Sequence, residues 1–205
     1  LKLIIQFTIP MLLGNLFQQL YNMVDTIVVG KGIGDDALAA VGSTGASNFL
    51  VLGFIIGLTS GFSILMAQAY GAADTDLLKR TLGMSYLLSL VFALLVTVIS
   101  VLGTGGLLRL LQTPEDIFDD AYIYIVIIFA GIPFTVGYNL FASVLRSVGD
   151  SKTPLYAMLI SSVVNVILDV VLVMGVRMGV AGAAVATVIS QIAAMVYCYL
   201  KMRHI

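Results

Sequence analysis

The chain of 205 residues has no tryptophan, one cysteine, one histidine and four prolines, and only 10% of it is charged. Each shortage excludes something. A single cysteine, Cys198, excludes an internal disulfide framework. Cys198 and His204 are lone residues, so there is no nucleophile–base pair and no zinc spacing. Nor is there a phosphate loop or the residue order of a catalytic triad, so the sequence offers no enzyme chemistry. A net charge of −1 gives no general attraction for nucleic acid. Soluble domains are about half apolar and about a quarter charged. Here 60% of the residues are hydrophobic and the mean hydropathy is +1.09, an excess that has to face lipid. Without tryptophan, the interfacial belts rely on Tyr and Phe.

Charge punctuates the apolar sequence. Between Lys2 and Lys31 the only charged residue is Asp25, and between Thr153 and Val176 the only one is Asp169. No residue is charged from Ala37 to Ala73, Thr81 to Leu108, Ala121 to Leu145 or Met178 to Leu200. A helix needs about 20 apolar residues to cross a bilayer. The pattern predicts an all-α membrane protein, a single unit over 1–205 of six transmembrane helices. Their expected limits are 3–30, 38–71, 77–103, 117–147, 153–175 and 179–202. The second stretch is longer than one span needs and holds Gly42, Gly45, Gly53, Gly57 and Gly61. A tilted, protruding or locally bent helix accounts for it better than two spans.

The chain starts at Leu1, with Lys2 followed at once by a span, and reads as a fragment or a trimmed chain. The first apolar stretch is too long and too polar inside for a cleavable signal peptide. Lys and Arg distribution sets the orientation. Lys2, Lys79, Arg80, Arg146, Lys152, Lys201 and Arg203 fall on one side, and Lys31, Arg109 and Arg177 on the other. That places both termini in the cytoplasm of a multi-pass plasma-membrane protein.

Asp25 and Asp169 each lie 15 residues after a proline, Pro10 and Pro154. An acid at the bilayer centre costs roughly 2.5–3.5 kcal/mol on insertion scales and marks a functional site by default. A shift of 144 residues lays the first hairpin on the last: Pro10 meets Pro154, Asp25 meets Asp169, and Ser43 meets Thr187. A weaker echo pairs Ile9, Pro10 and Gly14 with Ile132, Pro133 and Gly137. Internal repeats are common in secondary transporters, with sites near the repeat interface.

Polar residues recur on single helical faces. Asn15, Gln18, Asn22 and Asp25 do so in the first span, flanked by Gln19 and Tyr21. Ser161, Asn165 and Asp169 do so in the fifth, and Thr187, Ser190 and Gln191 in the sixth. Turned to a common centre, these stripes make a wet cavity with its ionisable floor toward the outer half of the membrane. Facing lipid, they would leave many groups unpaired. The plainer reading is polar glue between helices, at about 1–2 kcal/mol or less per contact. That reading suits Asn15, Ser161 and Gln191 as well as a functional one, and suits the two acids poorly. A carboxyl there binds and releases a proton, and Asn and Thr oxygens beside it suit Na⁺. Pro10 and Pro133 are hinge candidates inside their spans, whereas Pro154 sits comfortably at a helix start.

At the segments IPMLLGNLFQQLYNMVDTIVVG (9–30), RSVGDSKTP (146–154), SSVVNVILDVVLVMGV (161–176) and GVAGAAVATVISQ (179–191), the chain resembles the multidrug and toxic compound extrusion (MATE) family, and its DinF-like branch in particular. The resemblance implies an antiporter that expels organic cations, driven by H⁺ or Na⁺, with no cofactor beyond that coupling ion. It implies that Pro10 is the bending proline of the first helix and that Asp25 is its essential acid. Asn165 and Asp169 match the Asn-x-x-x-Asp of the fifth helix, and Thr187 a polar cavity residue of the sixth. Gln18, Tyr21 and Asn22 are neighbours in the cavity, and Asn139 matches a cavity Asn of the fourth helix. Any Na⁺ would sit at Asp25, Asp169 and Asn165. Family members have twelve helices in two lobes, so the resemblance covers the N-terminal lobe and implies a second six-helix lobe as partner, alongside the bilayer and small organic cations. Two other readings stand beside this one. A lipid-linked oligosaccharide flippase of the same superfamily is disfavoured because no Lys or Arg falls within a span. A six-helix channel or structural subunit is disfavoured because no filter-like re-entrant segment is visible.

Overall fold

The computed structural model describes residues 2–203; His204, noted above, lies outside the described residues. The described residues form α-helices α1 (Lys2–Gly32), α2 (Asp35–Ser43), α3 (Gly45–Gly71), α4 (Thr75–Leu110), α5 (Glu115–Ala130), α6 (Ile132–Ser147), α7 (Lys152–Asp169) and α8 (Val180–Met202). A π-helical segment, Val170–Gly175, continues α7. There is no strand among the described residues.

Four rods are long and apolar enough to cross a bilayer: α3, α4, α7 with its π-helical end, and α8. α5 and α6, bent by 44° where they meet, make a fifth if counted as one span. α1 has 31 residues, a length of about 46 Å at 1.5 Å per residue. It has the reach of a span, but its Asn, Gln and Asp residues lower its apolarity.

Two of the expected rods are broken. The stretch expected at 38–71 is α2 and α3, which meet at Thr44; the Thr44 hydroxyl donates to the Val41 carbonyl at 2.7 Å. The stretch expected at 117–147 is α5 and α6, bent at Gly131. Pro133 accounts for the second break, because a proline has no N–H to donate and is tolerated in a first helical turn. It occupies the first turn of α6, at the break and not inside a continuous span. α4 also runs on past the expected limit of 103 to Leu110. The fifth rod changes from α to π winding directly after Asp169.

α8 lies at the centre, against α5, α6, α7 and the π-helical segment. Its buried positions are small, among them Gly182, Ala183, Ala186, Ser190 and Ala194, so backbones approach closely. Glycines opposite complete the fit. A Cβ built on Gly131 would meet Val188 at 2.5 Å, and one on Gly137 would meet the Met195 sulfur at 2.5 Å. α1 leans on α7, α2 on α5, and α3 on α4 and α6.

α4, one of the two least buried of these rods, reverses the pattern of a soluble helix. Leu87, Leu90, Leu94, Val98 and Leu102 recur every three or four residues and are exposed, Leu102 by 81%. The buried face carries Ser85, Ser89, Ala93 and Thr104. A stripe of that kind is at home in lipid and a liability in water. Two apolar clusters bracket the interior. Val28, Val29, Tyr124, Val173 and Val180 pack at one end. Tyr138, Leu145, Ala157, Ala194 and Cys198 pack at the other, where α6 and α8 finish and α7 starts.

Candidate functional site

Between those clusters lies a cavity of about 530 Å³. One face of α1 lines it with Asn15, Gln18, Tyr21, Asn22 and Asp25. This is the stripe with spacings of three and four, and a straight α-helix is enough to present it on one wall. α8 contributes Thr187 and Gln191 from the facing side. α6 contributes Thr135, Tyr138, Asn139 and Arg146, and α7 contributes Met158 and Ser161. Leu52, Ile56 and Ile128 make the apolar part of the wall.

Hydrogen bonds fix several of these groups. The Tyr21 hydroxyl donates to Thr187 Oγ1 at 3.2 Å and ties α1 to α8. Asn139 Nδ2 donates to the Thr135 carbonyl at 2.8 Å, and Asn22 Nδ2 donates to Gln19 Oε1 at 3.4 Å. Other buried groups have no partner: Asp25 Oδ1, both carboxylate oxygens of Asp169, both amide atoms of Asn165, Asn48 Oδ1 and Gln191 Oε1. Buried polar atoms are nearly always paired, and each exception needs an explanation.

Asp25 and Asp169 differ in position. Asp25 is 9% exposed and faces the cavity. Asp169 and Asn165 are 0% exposed and stand outside the cavity lining, so the stripe of α7 meets the cavity only at Ser161. The two carboxyls are still near enough to feel one another's charge, and the hydroxyls of Tyr21 and Tyr124 stand in the field of both. Four oxygens of this cluster lack partners: Asp25 Oδ1, Asn165 Oδ1 and the two of Asp169. A set so rich in acceptors suits protons or a small hard cation, which prefers oxygen ligands. Among the described residues no group of three His, Cys, Asp or Glu assembles.

The remaining sequence candidates fall as follows. Gln18, Tyr21, Asn22, Asn139 and Thr187 all line the cavity. Pro10 lies inside α1, which passes through it without a break, and lines a smaller hollow of about 50 Å³ next to the main one. Arg146 is a correction. It stands at the very end of the expected 117–147 stretch and counts there among the flanking charges, yet it lies in the last turn of α6 and lines the cavity, so a basic residue does stand on the cavity wall. Asn48, Tyr124 and Tyr138 were missed. Asn48 sits in the short polar and glycine-rich run Gly42–Asn48, with Thr44 a turn before it, a signal that reads as a locally bent helix and not as a cavity wall. Tyr124 and Tyr138 read as ordinary interfacial tyrosines.

The MatE family model matches residues 10–171. The chain belongs to the MATE family. It is 38% identical over 201 residues to the probable multidrug resistance protein YoeA of Bacillus subtilis, covering 96% of this chain and 43% of that protein. It is 32% identical over 219 residues to the DNA damage-inducible protein F of Escherichia coli, covering 100% and 44%. The fold is similar to the outward-facing structure of a multidrug resistance MATE transporter, with a TM-score of 0.92 and 29% identity, covering 98% of this chain and 44% of that one. The chain thus spans less than half the length of the MATE proteins it matches, and its fold is that of one lobe.

Proposed function

We propose that this lobe serves a cation-coupled antiporter that exports organic cations by alternating access. The observation that carries the reading is the position of the acids. Asp25 faces a cavity large enough for a small drug, and an acceptor-rich cluster with unpartnered oxygens lies just behind it. Ionised Asp25 attracts a cationic cargo into the cavity. Arrival of H⁺ or Na⁺ at Asp25, Asp169 and Asn165 neutralises the site and removes that attraction. α1 carries Asp25, is held to α8 by the Tyr21–Thr187 bond and contains Pro10, so it is the rod through which neutralisation shifts the wall. Binding cargo and coupling ion in competition lets one drive the other, because each shifts the equilibrium by its differential affinity.

In this reading a second lobe completes the pump, both termini are cytoplasmic, and the cluster lies toward the outer half of the membrane. A flippase for pyrophosphate-linked lipids would need a cavity rich in cations, and the lining holds one, Arg146. The test is efflux of ethidium from cells expressing the complete product of the gene, as Asp25→Asn and as Asp169→Asn. Loss of efflux is expected in both; unchanged efflux in both sinks the coupling role.

A further inference from the structure

Arg146 occupies an unusual position for a basic residue in this bundle. It lines the main cavity and also the smaller hollow of about 50 Å³. The two share Asn15, Tyr138, Arg146 and Met158, so the smaller one is an alcove of the larger. It opens where α6 ends and α7 begins, walled by Pro10, Gly14, Ser151 and Pro154. About 10–15 Å³ of such space is enough to hold one water, so the alcove has room for a carboxylate-sized group.

An arginine at a helix C-terminus ordinarily complements the helix dipole or pairs with an acid. The neighbouring acid, Asp150, is already engaged. Its Oδ1 accepts the N–H groups of Lys152 at 3.0 Å and Thr153 at 2.9 Å, and its Oδ2 accepts the Thr153 hydroxyl. Its carboxylate caps α7. Arg146 shares both hollows with Tyr138, a neutral side chain of the interior. The acid of the main cavity is remote. Asp25 is ten residues beyond Asn15 on the same helix, or about 15 Å at 1.5 Å per residue. Arg146 shares the alcove with Asn15, so Asp25 lies toward the other end of the cavity. The cavity therefore has an acidic end and a basic end, with the amides of Gln18, Asn139 and Gln191 between them.

We propose that Arg146 and Asn15 form an anion-binding subsite, so that the cavity takes zwitterionic amphiphiles: organic cations that also carry a carboxylate. The guanidinium fork matches a carboxylate's two oxygens, the Asn15 amide supplies a further donor, and the Tyr138 hydroxyl lies on the same wall. The cationic part then lies toward Asp25 and the anionic part in the alcove. This rests on the reading of the cavity as the substrate site.

The test is fluorescence polarisation with two dyes that differ by one group, on the complete product of the gene purified in detergent. Rhodamine 110 carries a free carboxylate, and rhodamine 123 is its methyl ester. Arg146→Gln is expected to weaken rhodamine 110 about 10-fold, the size of a lost hydrogen-bonded charge contact, and rhodamine 123 by less than about 2-fold. Retained rhodamine 123 binding also shows that the variant is folded. On the unchanged protein, benzoate is expected to displace rhodamine 110 and methyl benzoate is not. Equal loss of both dyes in Arg146→Gln, together with no displacement by benzoate, overturns the subsite. A protein that binds rhodamine 123 with no regard to the carboxylate overturns the subsite and leaves the exporter reading standing. A protein that binds neither dye overturns both.

Discussion

Asp25 and Asp169 hold matching places in the sequence, each 15 residues after a proline, and different places in the molecule. Asp25 looks into the cavity, whereas Asp169 is fully enclosed behind it, at the junction where α7 gives way to a π-helical turn. The difference teaches that an internal echo transmits depth along a helix but not the direction a side chain faces. α1 leans mainly on α7, with lesser contacts to α2, the π-helical segment and α8, and leaves its polar face to the cavity. α7 is held between α1 and α8, and its stripe turns into that contact. π-Helical turns inside α-helices are frequent at functional sites, and this one re-aims the chain directly after the acid.

The largest expected effect separates the two acids by what they bind. Asp25→Asn removes the carboxylate that faces the cavity. It is expected to weaken binding of rhodamine 123 by about 10-fold, the size of one lost charge contact. Asp169→Asn leaves the cavity wall intact and is expected to change that affinity by less than about 3-fold, while still abolishing coupled efflux. Equilibrium dye binding to both variants checks this, and equal weakening would erase the distinction between the two positions.

Accessibility tests the same comparison without reference to transport. With Cys198 replaced by alanine, Asp25→Cys is expected to react with a charged methanethiosulfonate reagent. Asp169→Cys is expected to react at least about 10-fold more slowly, since thiol reactivity follows access as well as thiolate character. Mass spectrometry over a time course measures both rates. Similar rates would place Asp169 on the cavity wall.

A third prediction asks whether scaffold damage mimics loss of the site. Gly131→Ala forces a Cβ against Val188, a β-branched neighbour with one stiff torsion. Overpacking of this kind costs about 1–3 kcal/mol, so the thermal midpoint is expected to fall. Gly137→Ala meets the end of the flexible Met195 side chain and is expected to cost less than Gly131→Ala. Neither is expected to alter the ratio of rhodamine 110 to rhodamine 123 affinity. A changed ratio would mean that the bend between α5 and α6 sets the shape of the cavity as well as its stability.

The helical class was legible because charge marks the ends of every apolar run, and the α1 stripe was legible because Asn15, Gln18, Asn22 and Asp25 share a period. What the sequence hid has physical reasons. The close approach at Gly131 depends on Val188 lying opposite, a contact across 57 residues that local propensity does not carry. The enclosure of Asn165 and Asp169 depends on which neighbours α7 meets, and periodicity gives a face without saying what covers it. Arg146 counts as a flanking cation by its place at the end of an apolar run, shortly before Gly149 and Asp150. Only the last turn of α6 brings it into the cavity.

The smallest effect concerns the bond that ties the two sides of the cavity together. Tyr21→Phe removes the hydroxyl that donates to Thr187 and leaves the ring in place. Hydrogen bonds between helices inside membrane proteins average about 0.6 kcal/mol, because unfolded segments in lipid find other partners. The variant is therefore expected to lose little stability and to bind rhodamine 123 within about 3-fold of the parent. Thr187→Val is expected to do the same, and the double variant no more than either alone, since both delete one bond. A thermal-midpoint cycle across the four proteins measures the coupling. Tyr21 also stands in the field of both acids, and that sets up the alternative. If the double variant costs clearly more than either single one, Tyr21 acts on Asp25 or Asp169 independently of Thr187. The acid that faces the cavity and the acid behind it would then be joined through a phenol, and not merely by proximity.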